Sequence, residues 1–334
     1  MNRSRRSPSA FVVAGLAALS LLGAPSQAIG QKAAALPRVG MLTPARSEPA
    51  KPLWDAFREA MKELGYVEGK SVVYEYRSAE GQLERLPQLA TELVKIPVKV
   101  MVVANTPGNL AAKKATTTIP IVMVAVGDPV RVGLVPSLGR PGGNITGFTN
   151  LTGELAAKRL QLLKELLPTV TRIGLIGSPG DPNALVQIQD SEAAARQLKL
   201  QLRVFTVRAA SELEPAFEAA RSWQAQALIP LADSLQSSLR ARTLELAAKT
   251  RIPVMYASRA DAEAGGLIAY GVDAHETYRR AAGYVDRILK GARPGELPVQ
   301  QPTKLTLTVN LKSAAALGIK VPQAILLQAN QVIE

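Results

Sequence analysis

From Arg38 to its end the chain alternates short runs rich in β-branched residues with amphipathic stretches of 10–16 residues, and this rhythm constrains its fold more than any other feature. Near-continuous apolar runs fit strands covered on both faces, and a helix-length return between them fits a parallel crossover, so the pattern predicts βαβ units. The expected strands are Arg38–Leu42, Ser71–Arg77, Val98–Asn105, Ile119–Val126, Ile145–Asn150, Arg172–Ser178, Leu202–Val207, Ala227–Leu231, Val254–Ser258, Leu267–Gly271 and Leu305–Asn310. Between the first of these, Leu53, Phe57, Met61 and Leu64 share one helical face, as do Leu83, Leu86, Leu89 and Leu93.

With 334 residues, 47% of them hydrophobic, the chain can bury two cores of ordinary domain size. Five strand units precede residue 150 and five similar ones follow, with the breaker cluster Arg140-Pro141-Gly142-Gly143-Asn144 near the middle. The fold class expected is therefore α/β, as two Rossmann-like lobes with parallel sheets. After the tenth strand comes an amphipathic helix over Glu276–Lys290, then Gly291-Ala292-Arg293-Pro294-Gly295, then one further strand. That late helix is expected to return to the first lobe before the chain crosses again, which makes a multi-segment hinge. The expected boundaries are 37–148 plus 274–296 for the N-terminal lobe and 149–273 plus 297–334 for the C-terminal lobe.

Ahead of the lobes, Arg3, Arg5 and Arg6 precede an uncharged apolar stretch from Phe11 to Leu22 and a small-residue segment ending at Ala28. This reads as a secretory signal peptide over residues 1–28. The apolar stretch is shorter than the about 20 residues needed to span a bilayer. A periplasmic location is expected, with no lipid anchor because the chain has no cysteine. Removing the leader takes three arginines and lowers the net charge from +13 to +10. The remaining basic residues are scattered, with few aromatics beside them to stack on bases, so no nucleic-acid partner is expected.

The absence of cysteine also excludes a disulfide framework, a thiol nucleophile and thiolate zinc sites. A single histidine, His275, opens the helix near residue 276 beside Asp273 and Glu276 and reads as a solvated helix-start residue. No phosphate loop and no dinucleotide fingerprint occurs, so neither a cofactor nor a metal is expected. Asp261, Glu263 and Asp273 imitate a carboxylate cluster but read as solvated loop acids.

What recurs instead is a polar residue at the carboxyl end of each strand, where ligands bind in open α/β sheets. Thr43, Asn105, Thr106, Asp128, Asn150, Ser178, Asp233, Ser234, Tyr256, Ser258 and Tyr270 all occupy such ends. Asn105-Thr106-Pro107 ahead of a helix offers free N–H groups to an anion, and an acid such as Asp233 opposite it could pair with an ammonium group. An enzyme using Asp128 or Asp233 as a base, on a doubly wound scaffold, is the alternative these residues leave open.

Five segments carry a resemblance to a known family: FREAMKELGYVEG (57–69), IPIVMVAVGDPV (119–130), RPGGNITGF (140–148), EAGGL (263–267) with Tyr270-Gly271, and LPVQQPTK (297–304). The chain resembles the ABC-transporter substrate-binding proteins related to tryptophan- and tyrosine-binding lipoproteins, over essentially its whole mature length. The resemblance implies a periplasmic-binding-protein type I fold with a small-molecule ligand between two lobes. It implies as partners an ABC permease and its ATPase subunits, with membrane contact only through the permease. No catalysis is implied. The implied ligand residues are Asn105, Thr106, Asp128, Asn150, Asp233 and Tyr256, joined by Ser178 and Tyr270, while Thr43 enters from its strand-end position. Ala104-Asn105-Thr106-Pro107-Gly108 and Ser178-Pro179 depart from the Gly-Gly-Thr-Pro-Ala and Asn-Pro usual in such relatives.

Overall fold

The computed structural model describes residues 35–334. The expected signal peptide lies outside the described residues. Strands β1 (Arg38–Thr43), β2 (Val73–Ser78), β3 (Val98–Ala104), β4 (Ile121–Val126) and β5 (Ile145–Thr149) form an all-parallel sheet in the order β2-β1-β3-β4-β5. Helices α1 (Ser47–Glu63), α2 (Leu86–Lys95) and α3 (Thr106–Ala115) connect them. α1 forms because Ala50, Trp54, Phe57 and Met61 recur at helical spacing and can be buried together, with Glu48 in the first turn and Lys62 in the last favouring its dipole.

The second lobe begins with α4 (Thr152–Leu166), followed by β6 (Arg172–Gly177), α5 (Pro182–Leu198), β7 (Gln201–Thr206), α6 (Leu213–Ser222) and β8 (Ala227–Pro230). Two short helices, α7 (Ser234–Ser238) and α8 (Arg240–Thr250), lead to β9 (Met255–Tyr256), α9 (Arg259–Glu263) and β10 (Ile268–Val272). The order β7-β6-β8 continues through a parallel bridge between Leu228 and Val254 into β9 and β10. α10 (Ala274–Leu289) then leaves this lobe. β11 (Leu305–Asn310) returns antiparallel to β10, and α11 (Leu311–Leu317), α12 (Gln323–Gln328) and β12 (Gln331–Ile333) complete the sheet edge.

All eleven expected strands are present, with ends shifted by at most two residues. β12 was not expected: three residues of mixed exposure carry no apolar run to mark them.

Three crossings join the lobes. The first runs from Thr149 into α4 through Leu151, whose φ is +50°. The second runs from Val272 into α10, which packs Tyr278, Ala281, Ala282, Val285 and Ile288 against α1 and the first sheet. Ion pairing of Arg279 with Glu63 (2.7 Å) and a hydrogen bond from the Tyr66 hydroxyl to Asp286 (3.0 Å) tie the same two helices. The third crossing follows Gln300. Residues 297–300 stay with the first lobe, because the Gln300 N–H donates to the Gly147 carbonyl (2.8 Å) and the Thr149 N–H to the Gln300 carbonyl (3.0 Å). The chain thus rejoins the second lobe a few residues beyond the boundary drawn after 296. The antiparallel β11 is the physical mark of that return.

Candidate functional site

The carboxyl ends of both sheets face a common crevice with a cavity of about 220 Å³, below the roughly 300–1,000 Å³ of sites for drug-sized molecules. In the first sheet it opens where the strand order reverses between β1 and β3, the position at which a doubly wound sheet leaves room for a ligand. The wall from this lobe carries Thr43, Ala45, Pro49, Ala50, Leu53, Asn105, Ala125 and Asn150, with Tyr278 from α10. The opposite wall carries Arg159, Asp233, Ser234, Gln236, Arg240, Tyr256, Ser258 and Asp261.

Backbone strain marks the first wall. Asn105 (φ +60°) and Ala125 (φ +54°) both occupy the left-handed region although each bears a Cβ. Such conformations cost of order 1 kcal/mol or more and cluster where a site needs them. At Asn105 the turn starts α3 without using the side chain as a cap, so its amide makes no hydrogen bond among the described residues. At Ala125 the β4–β5 register shifts, which turns the strand end toward the crevice.

The second wall is polar but buried. Ser234 Oγ, both amide atoms of Gln236 and Thr243 Oγ1 are buried without a hydrogen-bond partner among the described residues, a condition native interiors rarely tolerate. All three residues line the cavity. Asp261 is ion-paired with Arg240 (2.6 Å), and burial pushes its carboxyl above the usual range despite that cation. Its reading as a solvated loop acid is therefore corrected: α9 carries it inward, while Glu263 stays outside with Arg259 and Asp273 caps α10.

Of the expected site residues, Thr43, Asn105, Asn150, Asp233 and Tyr256 line one cavity. Thr106, Asp128, Ser178 and Tyr270 do not. Thr106 is buried and its hydroxyl accepts from the Gly127 N–H (3.5 Å). Asp128 closes its own turn by accepting from the N–H groups of Val130 (3.1 Å) and Arg131 (3.0 Å). Ser178 donates its N–H to Asp233 (3.3 Å), and Tyr270 offers its carbonyl to Arg159 while its ring packs on the second core.

Asp233 does line the crevice, yet both its oxygens accept backbone donors: Oδ1 from Gln236 N–H (2.7 Å) and Oδ2 from Ser178 N–H. It caps α7 as well as facing the cavity. Burial drives its pKa up to about 7, with the nearby Asp181 carboxylate adding to the rise.

Gln236, Arg240, Thr243 and, as a buried cation, Arg159 line the cavity although the sequence does not single them out. Arg159 lies inside α4, away from any strand end, but it occupies the apolar stripe of Leu155, Ala156, Leu160 and Leu163. A cation in such a stripe was the available signal.

The rims of the two walls meet directly. A Cβ on Gly127 would lie 1.6 Å from Asn183 Oδ1 on α5, so only glycine permits this approach. Nearby, Arg131 pairs with Asp190 on α5 (2.7 Å) and donates to Gln189 (2.8 Å).

Two α/β lobes, three crossings and a crevice lined from both sides define a periplasmic-binding-protein type I fold. Residues 43–333 match the model of the family described as "ABC transporter substrate binding protein", and the chain belongs to that family. It is 25% identical to a tyrosine-binding protein of Clostridioides difficile over 264 residues, 79% of this chain and 76% of that one. Among solved structures it is similar to a conserved domain protein from Vibrio cholerae (TM-score 0.84, 30% identity, covering 89% of this chain and 99% of that one). It is also similar to an ABC domain from Streptococcus pneumonia in complex with L-Trp (TM-score 0.83, 26% identity, 89% and 100% covered).

Proposed function

We propose that this chain is the periplasmic solute-binding component of an ABC import system, which captures an amino acid or related carboxylate between its lobes. It then hands the solute unaltered to a membrane permease driven by ATPase subunits. The observation that carries the proposal is the crevice itself, which both lobes line. Uncommitted polar groups of Ser234, Gln236 and Thr243 meet it on the second wall, and the Asn105 amide, without a hydrogen bond among the described residues, meets it on the first. Relatives described as binding tyrosine or solved with L-Trp support the amino-acid class.

In this reading the lobes, drawn from the sequence at 37–148 plus 274–296 and 149–273 plus 297–334, swing about the three crossings, with Thr149, Asn150 and residues 297–300 moving with the first lobe instead of the second. Thr43, Asn105, Asn150 and Tyr256 face the solute, and Thr106, Asp128 and Ser178 hold the strand ends that present it. The chain performs no catalysis in this scheme. The bases an enzyme would use, Asp128 and Asp233, accept backbone N–H bonds already.

To move the population from 99:1 open to 99:1 closed, the solute must favour the closed form by about 5.5 kcal/mol, within the roughly 8 kcal/mol of a micromolar ligand. Thermal-shift screening against amino acids, small carboxylates, nucleosides and sugars tests the reading. A true ligand at about 100 times its Kd adds about 2.7 kcal/mol of stability. A Tm rise with an amino acid or carboxylate is expected, and a rise with sugars or nucleosides alone contradicts it.

A further inference from the structure

Arg159 is only 2% exposed, and the structure gives it one hydrogen bond, from Nε to the Tyr270 carbonyl at 2.8 Å. Among the described residues no carboxylate lies within ion-pair distance of it. The acid whose charge acts on it, Asp261, is engaged by Arg240. Removal from water lowers the guanidinium pKa to about 10, yet it remains charged near neutrality. A cation buried this deeply is costly unless an anion meets it.

The guanidinium lines the cavity, with Nη2 beside Gly271 at the end of β10. The unpartnered Ser234 Oγ, Gln236 amide and Thr243 Oγ1 line the same wall. Across the cavity Ala45, Pro49, Ala50 and Leu53 of the first lobe present apolar surface. The cavity therefore has a cationic, hydrogen-bonding side and an apolar side.

We infer that Arg159 is the receptor for a carboxylate on the solute, so that this site selects small organic acids with an apolar body over neutral solutes of the same shape. The inference rests on the solute-binding reading above and deepens it by fixing the charge of the ligand. Nε is held by the Tyr270 carbonyl, which orients the plane of the guanidinium and leaves the two terminal nitrogens to make paired bonds to a carboxylate. Asp261 and Arg240 offset each other, and the one further charged group on this wall, Asp233, already accepts backbone N–H donors with both oxygens, so among the described residues Arg159 is the cation left without an acidic partner.

The test is calorimetric titration of the whole protein with the standard L-amino acids, the matched carboxamides and small monocarboxylates and dicarboxylates. The wild-type protein is expected to bind an acid at least about 10-fold more tightly than its carboxamide. Arg159→Gln is expected to weaken acid binding by about 10- to 100-fold and to bring the acid-to-amide ratio close to one, whereas Arg159→Lys retains part of the preference. Equal binding of acid and amide by the wild type, or an unchanged ratio in Arg159→Gln, overturns the inference. Should Arg159→Gln fail to fold, the wild-type ratio still decides.

The two readings fail separately. Binding of carboxylates that are not amino acids, with the Arg159 dependence intact, retracts the amino-acid class and keeps the inference. Binding of uncharged solutes alone overturns the inference and leaves a solute-binding protein.

Discussion

The two walls of the crevice are made of different material. On the first lobe, strand ends bring short side chains and backbone to the cavity: Thr43, Ala45, Asn105 and Ala125, two of them in left-handed conformations. On the second lobe the cavity meets the buried Arg159, Asp233 and Gln236, the mostly buried Asp261 and the part-exposed Arg240, all charged or amide-bearing. Groups of the second kind are expensive to leave unsatisfied in a low-dielectric interior, while those of the first cost little when exposed. In the proposed reading this difference gives recognition of the solute's polar end to the second lobe and enclosure of its body to the first.

The largest effect expected from breaking this division is at the rim. Gly127→Val places atoms where Asn183 Oδ1 already stands, so the lobes cannot meet and solute affinity falls by about 100-fold or more, an energy of roughly 3 kcal/mol. In the hinged reading proposed above, parting the lobes relieves this clash, so Tm without solute is expected to stay close to wild type. Calorimetry combined with thermal unfolding separates the two effects, and undiminished affinity would mean that rim contact is unnecessary for binding.

Next is the pH response of Asp233. Its folded pKa, about 7, stands above its ordinary value of 3.8, so between those limits the native state binds the proton that the unfolded chain has lost. Stability therefore falls as pH rises from about 4 to about 7, by an amount on the order of a few kcal/mol. Asp181, which burial also raises, adds to the same trend. Asp233→Asn should flatten that decline in urea-melt free energies. A decline as steep as that of the wild type would remove Asp233 as its source.

Smaller changes sharpen the contrast. Thr43→Ala and Asn105→Ala remove neutral hydrogen-bonding groups from the first wall, so each should cost affinity about 3- to 10-fold, roughly 1 kcal/mol. Losses that match those from the second wall would erase the assignment of polar recognition to one lobe. Least of all is Arg131→Ala. Its pairing with Asp190 across the rim is partly exposed, and such pairs contribute at most about 1 kcal/mol, a few-fold in affinity that added salt should erase.

How much of this was legible in the sequence differs between the walls in the same way. Apolar runs and crossover helices mark the strands, and a strand end is a place where a side chain can face a ligand; position picks out Thr43, Asn105, Asn150, Asp233 and Tyr256, all of which line the cavity. Position alone does not separate a ligand contact from a turn or a helix cap. The same rule picks Asp128 and Thr106, whose side chains instead accept backbone N–H groups, from Val130 within the turn and from Gly127 on the neighbouring strand end.

The helical half of the site was harder to read. Arg159 reaches the cavity from within α4 because β10 passes beside it and offers the Tyr270 carbonyl to its Nε. Asp261 turns inward because Arg240, some twenty residues earlier, is brought to meet it. Both depend on contacts between elements distant in the chain, which periodicity does not record. The strain at Ala125 is equally silent, since nothing in an alanine announces a positive φ.

The central claim is that the lobes close on a solute that leaves unchanged. Small-angle X-ray scattering with and without the amino acid or carboxylate giving the largest Tm rise, with mass analysis of the recovered compound, tests it most directly. Closure predicts a smaller radius of gyration in its presence and full recovery of the compound intact. An unaltered radius at saturation, or a converted compound, would contradict the clamping of an unreacted ligand between two lobes.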